Sequence, residues 1–168
     1  SVDAGAGLAM AQGNSVYAID QLAPARNRPD KVLREHGAPE ELAAFYEALW
    51  LRRLGRLGLR PEQVSEDFSA APTVRIVGES PAEAGRVNVD VILADAVGLA
   101  GYQVYVNGVP LGAELTQVEG LRRRVSVAVP LTRGVNRIEF TALNTQGVES
   151  LRATTTAHHD GVGLAQPR

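Results

Sequence analysis

The hydrophobic rhythm of this chain changes once. Over 39–57, apolar residues recur every three or four positions at Leu42, Phe45, Tyr46, Leu49, Trp50, Leu54 and Leu57. That is the spacing of an apolar stripe on a helix. From about residue 73 onward the period is two. Val74 and Ile76, then Val87, Val89, Val91 and Leu93, then Tyr102, Val104 and Val106, then Val125, Val127 and Val129 each skip one residue, as strands with one buried face do. The clearest case lies in 134–150. Ile138, Phe140 and Ala142 share one side, while Arg137, Glu139 and Thr141 share the other, which is expected to be wet. Asn144 to Gly147 supply residues that tolerate positive φ, so a tight hairpin turn is expected there.

About seven such strands with no helix between them predict an Ig-like antiparallel β-sandwich, preceded by two or three short helices. The fold class is therefore mainly β with a helical N-terminal segment. A barrel fits less well, because Pro72, Pro81 and Pro110 favour open edges. The expected organisation is an extended leader or linker over 1–26, a helical connector over 27–68, the sandwich over 73–157 and a tail over 158–168. The leader is small and aperiodic to about residue 13; 15–19 reads as one short strand, with Leu22 as an anchor for the chain beyond it. The first helix starts at Asn27 or Arg28 as N-cap, with Pro29 near its first position, Asp30 at the positive end of the dipole and Gly37 closing it. The second begins at Pro39 and is expected to pack on the sandwich through Leu42, Phe45, Leu49 and Trp50.

Composition narrows the chemistry. The 168 residues carry a formal net charge of −2, so nothing calls for a polyanion partner. Lys31 is the only lysine; the excess of arginine reads as genome composition rather than a binding surface. Cysteine is absent, which removes disulfides, thiolate metal sites and a cysteine nucleophile from this chain. No apolar run approaches the roughly 20 residues of a membrane helix, and no membrane or nucleic-acid partner is expected. Aromatic residues make up only 5% of the chain, which argues against a stacking platform for sugars or single strands.

The candidate chemical groups are weak. His158-His159-Asp160 resembles a metal cluster, but neighbouring strand residues point to opposite faces and a zinc site needs three or four convergent ligands. His36 fits the C-terminal end of the first helix. Gly5 and Gly7 lack the strand and third glycine of a dinucleotide fingerprint. In Arg122-Arg123-Arg124, only Arg123 falls in phase with the valines, so the triplet reads as a solvated strand start. No catalytic residue, metal ligand or cofactor site is expected. Arg52, Arg53, Arg56 and Arg60 form a better patch, for which a protein partner is the natural guess.

One resemblance covers about 16–157. Val16-Tyr17, then Asn27-Arg28-Pro29-Asp30-Lys31-Val32-Leu33, then Tyr46, Trp50, Arg53-Leu54 and Leu57-Gly58-Leu59, then Ser65-Glu66-Asp67-Phe68 resemble the region between two domains of large bacterial proteins. Those proteins carry WD40 repeats followed by a caspase-like (clan CD) peptidase domain. Tyr105-Val106-Asn107-Gly108-Val109-Pro110 and Gly134-Val135-Asn136, Asn144 and Gly147-Val148-Glu149-Ser150 resemble the Ig-like sandwich of the same proteins. The resemblance implies a connector and Ig-like module without the catalytic histidine and cysteine. It implies a bacterial source, with the cytoplasm as the expected compartment and the periplasm as the alternative. Its partners would be neighbouring domains of the same polypeptide, or other proteins, and its role would be to space or dock them. The alternative is a glycan- or peptide-binding sandwich.

The expected interdomain interface is the two-helix corner, with Asn27, Arg28, Asp30, Trp50, Arg53 and Arg56. There Asn27 would cap, Pro29 would set φ, and Asp30 or Glu35 would hold Arg53 in a carboxylate fork.

Overall fold

The computed structural model describes residues 9–12, 15–22, 24, 27–64, 70–83 and 85–161. Strands β1 (Ala9–Gln12) and β2 (Ser15–Ala18) pair antiparallel, and a 3-10 turn over Ile19–Leu22 comes after them. Helices α1 (Pro29–Glu35) and α2 (Glu40–Arg56) come next, then a 3-10 turn over Pro61–Gln63. The remaining strands are β3 (Thr73–Pro81), β4 (Arg86–Val106), β5 (Val109–Pro110), β6 (Thr116–Pro130), β7 (Gly134–Asn144) and β8 (Ala153–His159). These six form one antiparallel sheet in the order β3-β4-β7-β8, with β5 and β6 also paired to β4.

The sheet curls into a sandwich because β4 serves both layers. Residues 86–94 of β4 pair with β3 and with 122–130 of β6, whereas 99–106 pair with β7. The two stretches read as separate strands in the sequence, but they are one strand of 21 residues. Register shifts between Ala94 and Gly101 change its phase. Odd-numbered Val87, Val89, Val91 and Leu93 therefore share a core with even-numbered Val104 and Val106, together with Val129, Ile138, Phe140 and Ala142. A bulge does this by sending every later side chain to the other face. At the bend, one oxygen of the Asp95 carboxylate accepts the backbone N–H groups of Val97 and Gly98, both at 2.7 Å. Gly101 is required where β4 and β6 approach: a Cβ there would meet the Leu115 side chain and lie 2.6 Å from the Thr116 carbonyl oxygen.

Strand β7 departs from the expected pattern. Ile138, Phe140 and Ala142 are buried as anticipated, but Glu139 and Thr141 on the other side are buried too. Leu143 on that outer side packs with Trp50, Leu54, Leu59 and Leu115. The helical segment thus packs on the outside of the sheet at Leu143, while Glu139 on the same side is paired with Arg137 and Arg152, so the outer face is not the wet one that alternation implied. The turn after β7 is fixed by buried Asn144. Its amide Oδ1 accepts from the backbone N–H of Gln146 (3.0 Å) and Val148 (2.9 Å), and its Nδ2 donates to the Ala70 carbonyl (3.2 Å) and Asp95 Oδ1 (3.3 Å). The hairpin partner begins only at Ala153; before it, Leu143 and Glu149 make an isolated bridge.

Helix α2 does not pack through the expected residues. Trp50 is 7% exposed and Leu54 1%, but Leu42, Phe45 and Leu49 are 43%, 57% and 40% exposed. The reason is angular. Ala43, Trp50 and Leu54 lie on one line of the helix, while Leu42, Phe45 and Leu49 lie on a line roughly a quarter-turn or more away at about 100° per residue. The helix ends where Gly58 takes φ 67° and the Leu59 N–H bonds the Leu54 carbonyl at 3.0 Å, which turns Leu59 into the core. Part of the leader is also tied down. Leu22 packs on Val148, the Glu149 N–H donates to the Gln21 carbonyl at 2.7 Å, and 9–12 pair with 15–18, where only the second was expected as a strand. An Ala-rich strand has no alternation by which to read it.

Trp50→Ala should cost about 3 kcal/mol or more in urea denaturation, and Phe45→Ala less than about 0.5 kcal/mol. Comparable losses would mean that the two faces of α2 are buried alike.

Candidate docking surface

The expected interface residues separate into two groups. Arg28, Asp30 and Trp50 come together; Arg53 and Arg56 lie elsewhere on α2, and exposed Asn27 caps nothing, because the N-cap of α1 is Arg28, without a side-chain cap bond. Asp30 is fully buried and accepts two hydrogen bonds from Arg28, from Nε at 2.8 Å and from Nη2 at 2.6 Å. The Arg28 guanidinium lies 3.7 Å from the centre of the Trp50 ring, a stack worth about 2 kcal/mol when desolvated. Trp50 Nε1 in turn donates to the Pro24 carbonyl at 2.8 Å. Arg34 ties the two helices, with Glu40 at 2.8 Å, Glu47 at 2.7 Å and Asp30 at 3.7 Å. The hydrogen bonds from Arg28 hold the Asp30 carboxyl below its ordinary value, against the opposing effect of burial.

The expected Asp30–Arg53 fork is therefore absent. Asp30 is satisfied from its own helix start, since Arg28 reaches it two residues away. Arg53 instead lines an open cleft of about 200 Å³, with Arg56, Leu57, Gln103, Tyr105 and Leu115 among the other walls. Neither Arg53 nor Arg56 makes an ion pair among the described residues. Gln103 is held by donating to the Gly112 carbonyl at 3.1 Å. The Tyr105 ring is fixed by the Arg152 guanidinium at 4.5 Å, and Arg152 pairs with buried Glu139 at 3.4 Å. Burial, with Glu149 nearby, raises the Tyr105 phenol. Tyr105 and Gln103 could not be found from the sequence, since they reach α2 only through the curl of β4.

Beside the cleft runs the uncovered face of α2. Leu42, Phe45, Tyr46 and Leu49 are all exposed, and Phe45 and Tyr46 meet edge to face at 5.6 Å. The spacing continues through Arg53 and Arg56, so the apolar band leads directly into the cleft. This face is exposed, whereas Asp30 and Trp50 of the Arg28–Asp30–Trp50 cluster are buried.

The other candidates hold no site. His158 and His159 lie within β8, opposite Val135 and Gly134, two residues beyond the expected end of the sandwich. His158 pairs with Asp160 at 3.0 Å on the surface. No three His, Cys, Asp or Glu residues converge among the described residues. Arg123 lies opposite Leu93 and donates to the Glu119 carbonyl at 2.6 Å, while Arg124 pairs with Asp90 at 2.8 Å, well inside a strand rather than at its start. Ser65 to Phe68 of the resemblance and Gly5 and Gly7 lie outside the described residues. No helix among the described residues is long and apolar enough to cross a membrane.

No protein-family model matches the chain, and no curated protein matches it in sequence. Among solved structures it is similar to a glycoside hydrolase domain, Endo-D, from Streptococcus pneumoniae, with 19% identity over 58% of this chain and 16% of that one. The TM-score of 0.37 is too low for that likeness to carry an argument.

In a double-mutant cycle, Arg28 and Asp30 should couple by about 1.5 kcal/mol or more, and Asp30 and Arg53 by nothing measurable. The pH dependence has a definite sign. Because folding depresses the Asp30 value, the stabilisation is full above the unfolded carboxylate value and is lost as the pH falls from there through the lower folded value. Acid unfolding of Asp30→Asn should accordingly be less steep than that of the parent chain; identical slopes would contradict the assignment.

Proposed function

We propose that this chain is a non-catalytic structural and interaction module, which spaces or docks neighbouring domains in a bacterial caspase-like multidomain protein. The observation that carries the reading is the apolar band of Leu42, Phe45, Tyr46 and Leu49 left uncovered on a helix that is itself fixed to the sandwich. Contiguous apolar surface of this kind marks interaction sites, and a rigid mount lets contact at the band fix an angle between bodies. The resemblance at Asn-Arg-Pro-Asp supports the domain context. The absence of cysteine closes caspase-type thiolate catalysis to this chain.

The test titrates the domains that flank the chain in its parent polypeptide, expressed separately, against it by calorimetry. Binding should weaken at least about tenfold when Phe45 and Leu49 are both changed to Ser, because each buried apolar side chain contributes about 1.5–3 kcal/mol. Binding untouched by the double substitution, or no binding alongside saturable binding of a glycan, would overturn the proposal.

A further inference from the structure

We infer that the cleft at the end of the α2 band is a carboxylate-reading pocket, and that the partner is an acidic amphipathic segment of a protein. This rests on the interaction reading above and adds the chemistry of the partner. Among the described residues, six arginines are paired with carboxylates: Arg28, Arg34, Arg60, Arg124, Arg137 and Arg152. Arg53 and Arg56 are not, and neither are Arg52, Arg75, Arg86, Arg122, Arg123 and Arg133; what sets Arg53 and Arg56 apart is that both line a concave surface with polar Gln103 and Tyr105 and apolar Leu57 and Leu115. Two guanidiniums a turn of helix apart can bracket one carboxylate through charge-assisted hydrogen bonds. The apolar residues suit the aliphatic stem of an aspartate or glutamate.

Size and continuity select the ligand. At about 200 Å³ the cleft falls short of the roughly 300 Å³ at which small-molecule pockets begin, so it suits a side chain rather than a metabolite. The anion must also be attached to apolar surface, since the band of Leu42, Phe45 and Leu49 opens onto the same cleft. A helix laid along that band, with a carboxylate following its apolar anchors, meets both demands. An anionic membrane meets them less well: the opposite end of the helix is acidic, with Glu40 and Glu41 in its first turn, and a membrane-seeking helix is basic along its polar face.

An NMR titration of the full chain with N-acetyl-glutamate N-methylamide, beside its glutamine counterpart, tests the pocket directly. Side-chain signals of Arg53 and Arg56 and the ring of Tyr105 should shift with the glutamate probe, fade as salt is added and stay still with glutamine. Arg53→Gln with Arg56→Gln, both at accessible positions, should abolish those shifts and weaken the flanking-domain complex about tenfold or more. Equal shifts from both probes, or shifts that survive the double substitution, overturn the inference. If the flanking domains bind through Phe45 and Leu49 but ignore the arginine substitutions, the docking reading stands and the carboxylate reading falls. Band-dependent binding to phosphatidylglycerol vesicles, or self-association of the chain in sedimentation, would also overturn it.

Discussion

Burying both sides of β7 requires apolar or satisfied groups at consecutive positions, and it requires a layer on each side. Ile138, Phe140 and Ala142 are met by the valines of β4 and β6. On the reverse, Leu143 is met by Trp50, Leu54 and Leu59, and Thr141 and Glu139 lie beneath neighbouring groups. Glu139 is tolerated because Arg137 and Arg152 pair with it at 2.9 and 3.4 Å; a buried charge without partners would cost several kcal/mol. The helical segment is therefore packed against the sheet through Trp50, Leu54 and Leu59. Its position on the sheet decides which helix face remains free.

The division of charge results from the same placement. The corner between α1 and α2 consumes Arg28, Arg34, Asp30, Glu40 and Glu47 in one network. Those bonds orient Trp50, whose indole is held between Arg28 and the Pro24 carbonyl. None of those carboxylates reaches the far end of α2, where Arg53 and Arg56 line the cleft beside Tyr105 without an ion pair. The curl of β4, fixed by Asp95 and Gly101, brings Gln103 and Tyr105 to that end. Packing and electrostatics thus place the apolar band and the cationic cleft next to each other.

Local spacing determines the part of the structure that is legible in the sequence. Period-two runs locate β3, β4, β6 and β7; Pro29 and Gly37 bound α1; Asn144 marks its turn. The rest depends on contacts distant in sequence. Alternation in 137–143 cannot say that Trp50 and Leu54, more than 80 residues earlier, pack on Leu143, or that Arg152 reaches back to Glu139. The helical stripe reads as one face, but the apolar residues on α2 span more of its circumference than one sheet can cover. The phase change inside β4 is hidden because Gly98 and Gly101 look like a loop between two strands. The partner of Asp30 escapes the sequence for the opposite reason: a fork to a distant arginine is the natural expectation, whereas the contact with Arg28 is local.

A helix that buries Trp50 and exposes Phe45 faces a physical conflict that the described residues do not resolve. Among the described residues nothing covers the band, yet leaving several large apolar groups in water on a rigid surface favours association. Mutational economy would remove them if they did nothing, because polar substitutions at such positions change stability little. Helix propensity does not explain them either, since glutamate or lysine would serve as well as leucine and better than phenylalanine or tyrosine. The fold therefore accounts for Trp50, Leu54 and Leu59 but not for Leu42, Phe45 and Leu49. Contact with another surface is the role proposed above for those side chains, and Arg53 and Arg56, next along the same line of the helix, are the groups that would give such a surface a preferred charge.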